Sequence, residues 1–153
     1  MANTATVFIL KGLPGSGKTT AAEAWRAADP ENRVVVNRDQ IRFHLYRKYR
    51  ELTQLQEDIV TGVELRLADL ALRQGKSVAA DATNLLREHA DKWVHLAKRH
   101  GVAYEVIRIN TPVAECLRRN RNRAAAGGRF VPESVILDMS EQTDWAERPS
   151  RTA

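Results

Sequence analysis

Cysteine is almost absent from this chain of 153 residues: Cys116 stands alone, so no internal disulfide can form, and no metal-binding spacing surrounds it. No apolar run approaches the roughly 20 residues that span a bilayer, and no charged-then-apolar signal segment opens the chain. The four histidines, His44, His89, His95 and His100, lack ligand spacing and read as structural or surface residues. No internal repeat is present. These absences exclude a disulfide scaffold, a membrane span and a His/Cys metal centre, and lead to the expectation of a reducing, cytoplasmic setting.

The 43% of hydrophobic residues is enough for one good core and the length too short for two ordinary domains, so one domain is expected over 1–145, with a polar tail at 146–153. The formal charge of +5 favours polyanionic partners, although many small basic domains simply carry solvated cations. Eighteen of the 24 basic residues are arginine, the side chain suited to bidentate phosphate contacts.

What is present is Gly12–Leu13–Pro14–Gly15–Ser16–Gly17–Lys18–Thr19, which meets every position of the G-x-x-x-x-G-K-[ST] pattern. A β-branched and aromatic run, Thr6–Leu10, precedes it, and a helical stretch follows from Thr20 to Arg26. Glycines at 12, 15 and 17 let consecutive N–H groups turn inward around an anion, and the helix starting near Lys18 adds its own free N–H groups. Pro14, Ser16 and Thr20 complete the expected ATP-phosphate site. Lys18 reads as the mobile charge for the β- and γ-phosphates, and the Thr19 hydroxyl as a ligand of the Mg²⁺ shared with them.

Three more buried strands follow, Arg33–Val36, Ser77–Ala80 and Ala103–Ile109, separated by helices at about 40–49, 53–74 and 87–100. Leu55, Ile59, Val63, Leu67 and Leu70 recur at helical spacing and read as core. Trp93, Leu96 and Ala97 read as the inner face of the next helix, with Gly101 stopping it, and all three tryptophans are expected to pack. Thr111 as cap and Pro112 at the first position open a further helix, and Pro132 starts a last one with Val135, Ile136 and Met139 inward. Four strands alternating with helices predict an α/β fold, a parallel sheet of about four strands wrapped on both faces, with ligands at the strands' carboxyl ends. That end gathers the P-loop, Asp39 and Asp81.

Phosphoryl transfer needs an acceptor held in line, a base near its hydroxyl and positive charge over the moving group. Asp39, twenty-one residues after Lys18, fits the base. Between Arg38 and Arg42 it also fits a structural ion pair or a helix N-cap. Asp81 has three readings: orienting Mg²⁺ through water, pinning Arg42, or capping the turn at Thr83–Asn84. The arginines of 118–123, followed by the small-residue hinge 124–128 and Arg129, read either as a solvated helix face or as a mobile lid at about 118–131. Arg123 and Arg129 are the first candidates for the donor phosphates, with Arg119 next.

Gly12-x-Pro14–Gly15–Ser16–Gly17–Lys18–Thr19, Asn37–Arg38–Asp39-x-x-Arg42, Asp81-x-Thr83–Asn84, Arg119–Asn120-x-x-Arg123 and Val131–Pro132 together resemble the 5′-kinase domain of the phage-type polynucleotide kinases, in the same order over about residues 6–140. The resemblance implies the adenylate-kinase-like P-loop fold with the first strand central. It implies Lys18 and Thr19 on the ATP phosphates and metal, and Asp39 as the base for a 5′-hydroxyl. It further implies Arg42 on the phosphate 3′ of the acceptor nucleoside with Arg38 assisting, and Asp81 in the acceptor pocket supporting Arg42. Thr83 and Asn84 fall in the same acceptor element. Arg123 is implied as the lid arginine and Arg119 near the adenine. The hinge 124–128 is longer than the family pattern, and the length leads to the expectation that the 3′-phosphatase domain often found in such enzymes is missing. The function expected is transfer of the γ-phosphate of ATP, with Mg²⁺, to 5′-hydroxyl ends of DNA or RNA. The runner-up is a P-loop kinase of a small-molecule hydroxyl, on a nucleoside, sugar or antibiotic.

Overall fold

The computed structural model describes residues 4–141. The expected tail at 146–153 and Trp145 lie outside the described residues. Four strands, β1 (Thr6–Lys11), β2 (Arg33–Asn37), β3 (Ser77–Asp81) and β4 (Ala103–Arg108), alternate with α1 (Lys18–Ala27), α2 (Arg38–Tyr46), α3 (Gln54–Arg73), α4 (Arg87–His100), α5 (Val113–Ala125) and α6 (Glu133–Glu141). Every strand pair is parallel, in the order β2-β3-β1-β4, so β1 is an interior strand as the resemblance implied.

Apolar, largely β-branched strands buried on both faces are what a parallel sheet covered by helices requires. Val7 and Ile9 of β1, Val36 of β2 and Val78 and Ala80 of β3 meet Ala68 and Leu72 of α3 and Trp93, Leu96 and Ala97 of α4 in one core. Trp25 packs edge-on against Phe8, 5.4 Å between ring centroids. Register then does the positioning: Asn37 pairs with Asp81 across β2 and β3, and Ile9 with Ala80 across β1 and β3. The three strands therefore finish side by side at their carboxyl ends, and the P-loop, Asp81 and Asn37–Asp39 emerge at one rim.

One core expectation is overturned. On α3, Leu55 is 70% exposed, Ile59, Leu67 and Leu70 are exposed and Val63 is half-buried, while the buried residues are Val60, Glu64, Ala68, Ala71 and Leu72. Both rows have helical spacing, displaced by about one position. The row with small alanines is the one turned inward, and its carboxylate has company: Glu64 is ion-paired with Arg38 and with Lys92 at 3.1 Å. Pairing with two cations offsets the cost of burying that carboxylate on the inward row. Thr53 caps α3 in a capping box with Gln56, and Gly101 ends α4 in the left-handed conformation at φ 63°. At α5 the cap is Pro112 rather than Thr111, whose hydroxyl instead donates to the Ser16 carbonyl at 2.6 Å.

Candidate functional site

The P-loop links β1 to α1. Gly15 and Gly17 take φ 78° and 98°, and a Cβ at Gly15 would stand 2.6 Å from the Cys116 carbonyl oxygen, so the loop seats directly on the start of α5. Its shape is pinned from outside: Gly12 N–H donates to the Thr83 carbonyl at 3.1 Å, and Thr111 and Arg119 donate to the Ser16 carbonyl at 2.6 and 3.3 Å. Helix α1 begins at Lys18 with no side-chain cap and no acidic residue in its first turn. Its first N–H groups therefore point free at the loop's hollow, an anion site by construction. Lys18 Nζ donates to the Leu13 carbonyl at 2.7 Å. Burial pushes its ammonium down to about 8, with the Asp81 charge working in the other direction. Thr20 is exposed on the first turn of α1.

Asp81, buried at the end of β3, accepts from Thr19 Oγ1 at 2.7 Å and from Asn37 Nδ2 at 3.0 Å, and burial raises its carboxyl above the ordinary range. This corrects the expected support of Arg42 by Asp81, because the two belong to different clusters. Arg42 donates to Asp39 Oδ1 at 2.9 Å and to Glu57 Oε2 at 3.2 and 3.0 Å. Asp81 faces the P-loop, one strand nearer β1, and Glu57 from α3 takes the place at Arg42.

Asn37 is the N-cap of α2, accepting from Gln40 N–H at 3.0 Å, which leaves Asp39 free of capping. Asp39 is instead ion-paired on one oxygen with Arg42 and on the other with Arg129. Arg38, expected near the acceptor, is held by Glu57, by buried Glu64 and by the Thr61 hydroxyl at 3.0 Å. Burial opposes its charge, yet Glu64 and Glu57 outweigh burial and raise its pKa. Asn84 takes φ 47° and its amide donates to the carbonyls of Leu10, Ala80 and Ala82. Its amide nitrogen holds the turn after β3 against β1, and the residue also lines the same cavity as Lys18 and Asp39.

In the expected lid, residues 118–125 continue α5, and the irregular backbone begins at Ala126. Fully buried Asn120 fixes the return, donating to the Val131 carbonyl at 2.6 Å and accepting from Val131 N–H at 3.0 Å. Arg123 is engaged within the hinge: its Nε donates to the Arg129 carbonyl at 2.7 Å and its Nη2 to Asn120 Oδ1 at 3.3 Å, and it presses on Gly128, where a Cβ would lie 2.7 Å from its Cγ, while its charge still reaches Lys18. It holds the hinge, and the hinge aims Arg129. Burial lowers the pKa of both arginines. Arg119 lies against the P-loop, its Nη1 3.2 Å from where a Gly17 Cβ would be, and pairs with Glu115 at 2.9 Å.

A cavity of about 650 Å³ collects Pro14, Lys18, Thr19, Asp39, Arg42, Asp81, Thr83 and Arg129, while Arg119 and Arg123 do not line it. Sequence reasoning missed Glu57 and Lys92, which have no motif spacing, and left Asn37 and Asn120 without roles although both stand inside the quoted motifs. Among the described residues no three His, Cys, Asp or Glu side chains gather around a metal position. The Thr19 hydroxyl beside the Asp81 carboxylate suits a divalent ion held mainly by nucleotide phosphates, not one caged by protein.

Solved structures share this architecture. The chain is similar to a component of the Pnkp1/Rnl/Hen1 RNA repair complex, at 24% identity and TM-score 0.77, over 100% of this chain and 50% of that one. A second structure of the Pnkp1/Rnl/Hen1 complex matches at 26% identity and TM-score 0.69, over 78% of this chain and 40% of that one. The APS kinase CysC of Mycobacterium tuberculosis matches at 19% identity and TM-score 0.62, over 90% of this chain and 98% of that one. The chain thus spans half or less of the two repair-complex chains it resembles. No curated protein matches it. The family model AAA_33, described as an AAA domain, matches residues 7–146, and with its uncapped P-loop helix and interior β1 the chain belongs to that family of P-loop proteins.

Proposed function

We propose that this chain is an ATP-dependent kinase of 5′-hydroxyl ends of DNA or RNA. The observation that carries the reading is that Lys18, Asp39 and Arg42 line one cavity, with Asp39 free of helix capping. The P-loop amides and Lys18 receive the β- and γ-phosphates of ATP. Thr19, with Asp81 behind it, is suited to a Mg²⁺ ion, which when bound supplies neutralisation of phosphate charge. Asp39 accepts the proton of the acceptor hydroxyl as its oxygen forms the new bond to the γ-phosphorus and the bond to ADP breaks. Arg42 takes the phosphate on the 3′ side of the acceptor nucleoside, replacing its present carboxylate partners. Arg129 covers the reacting centre, aimed by Arg123, and Arg119 borders the donor side.

The similarity to chains of an RNA repair complex supports a nucleic-acid acceptor, and the similarity to an APS kinase favours a second reading, a kinase of a small hydroxyl compound. The two part on one comparison of acceptors with γ-labelled ATP. A nucleoside 3′-phosphate and a 5′-hydroxyl oligonucleotide are expected to be labelled, and a bare nucleoside far more weakly. Equal labelling of nucleoside and nucleoside 3′-phosphate contradicts the role of Arg42 and favours the small-molecule reading.

A further inference from the structure

Three arginines of the cavity are committed to carboxylates: Arg42 to Asp39 and Glu57, Arg38 to Glu57 and Glu64, Arg129 to Asp39. The turn between α2 and α3 is different. Tyr46–Arg47–Lys48–Tyr49–Arg50 interleaves three cations with two aromatics. Arg47 and Lys48 are exposed and form no ion pair among the described residues, and Arg50 reaches only its chain neighbour Glu51, at 3.7 Å. Tyr49 stacks on Phe43, ring centroids 4.9 Å apart and planes 14° apart, with the Arg47 guanidinium 5.5 Å from the Phe43 ring. Tyr49 and Arg50 line the same cavity as Asp39 and Arg42. Phe43 follows Arg42 directly on α2, and it is 38% exposed. Arg47 and Glu51 both hold left-handed backbone, at φ 57° and 60°, where a non-glycine residue is strained.

None of these groups is needed for proton removal or for ATP. A small acceptor ending at Arg42 would leave them idle. Exposed cations beside a stacked aromatic pair are the elements of a single-strand track, because any base offers a π-face and any phosphate a charge. We propose that Tyr49, backed by Phe43, together with Arg47, Lys48 and Arg50, binds the nucleotides that follow the terminal one in a single-stranded acceptor. The inference rests on the 5′-hydroxyl kinase reading and adds the path of the strand: the first phosphate meets Arg42, the next base stacks on Tyr49, and later phosphates meet the three cations.

The test compares a nucleoside 3′-phosphate with a single-stranded 5′-hydroxyl octanucleotide in the full chain. For the wild type, kcat/KM is expected to rise on the order of tenfold or more with the longer acceptor, since stacking of one base is of that size. Tyr49→Ala, and separately Arg47→Ala/Lys48→Ala/Arg50→Ala, should remove most of that gain through KM while the nucleoside 3′-phosphate reacts as before. Tyr49→Phe should retain it. The triple variant should also flatten the salt dependence of octanucleotide binding, by about 0.7 in log–log slope for each phosphate left without its cation. No gain with length in the wild type, or equal losses on both acceptors in the variants, overturns the track while leaving the kinase reading in place. Absence of label on either acceptor overturns the kinase reading itself and the track with it.

Discussion

Arg129, from the loop after α5, is ion-paired with Asp39 at the start of α2, so that loop is tied to a carboxylate that lines the same cavity as Lys18. With Arg42 on its other oxygen, Asp39 is neutralised twice. A strand end and an ATP phosphate arriving between them would exchange those carboxylate contacts for phosphate contacts, to which guanidinium groups are equally suited.

Removing the carboxylate tests its part in the chemistry. Asp39→Ala is expected to lower turnover by on the order of 10²–10⁴, the range for a general base, while ATP binding persists. Single-turnover transfer and a nucleotide titration on the same preparation measure both, and unchanged turnover would remove Asp39 from the mechanism.

Arg42→Ala is expected to act on the acceptor side. The KM for a nucleoside 3′-phosphate should rise while the ATP dissociation constant holds. An effect confined to ATP contradicts the assignment.

Arg123 and Arg129 are predicted to act as a unit, since one holds the other's main chain at 2.7 Å. Each alanine variant should slow transfer, and the double variant should be little worse than Arg129→Ala, with coupling of roughly 0.5–3 kcal/mol. Strict additivity in the cycle would show that Arg123 reaches the phosphates by itself.

The pH dependence of nucleotide binding follows from Lys18. Burial lowers its pKa from 10.5 to about 8, so the free protein loses this cation as pH rises through about 8. ATP affinity should therefore weaken above that pH, by up to about tenfold per unit. Stability moves the other way: between about 8 and 10.5 the unfolded chain binds more protons at this group than the folded chain, and unfolding free energy rises with pH. Calorimetric ATP titrations and denaturant unfolding from pH 7 to 9.5 read the two trends, and a flat binding profile contradicts the first.

On α3 the two rows should respond in opposite ways. Leu72→Ala, in the core, is expected to destabilise by about 2–5 kcal/mol, and Leu55→Ala, 70% exposed, by no more than about 0.5 kcal/mol. Equal losses in urea melts would mean that the leucine row is buried after all.

That row also shows where reading the chain stops. The strands, the P-loop turn and α4 were legible because each is specified locally, by β-branched runs, by glycines where the loop turns left-handed, and by Gly101 as a stop. Which of two adjacent rows of α3 turns inward is a matter of tertiary packing, in which Glu64 meets Arg38 and Lys92, residues 26 and 28 positions away. No local pattern carries that information. The same holds at the site: strand order brings Asp39 and Asp81 to the P-loop's side, which an alternating α/β pattern already implies. Whether Arg42 turns to Asp81 or Glu57, and whether Arg123 or Arg129 faces the cavity, is decided by side-chain packing after the helices dock.

The central claim concerns the acceptor end, and one measurement addresses it directly: transfer from γ-labelled ATP to a single-stranded oligonucleotide bearing either a 5′-hydroxyl or a 5′-phosphate. Label on the 5′-hydroxyl strand alone, removable by phosphatase and lost in Asp39→Ala, is the predicted result. Label on neither strand, or on both alike, would contradict it.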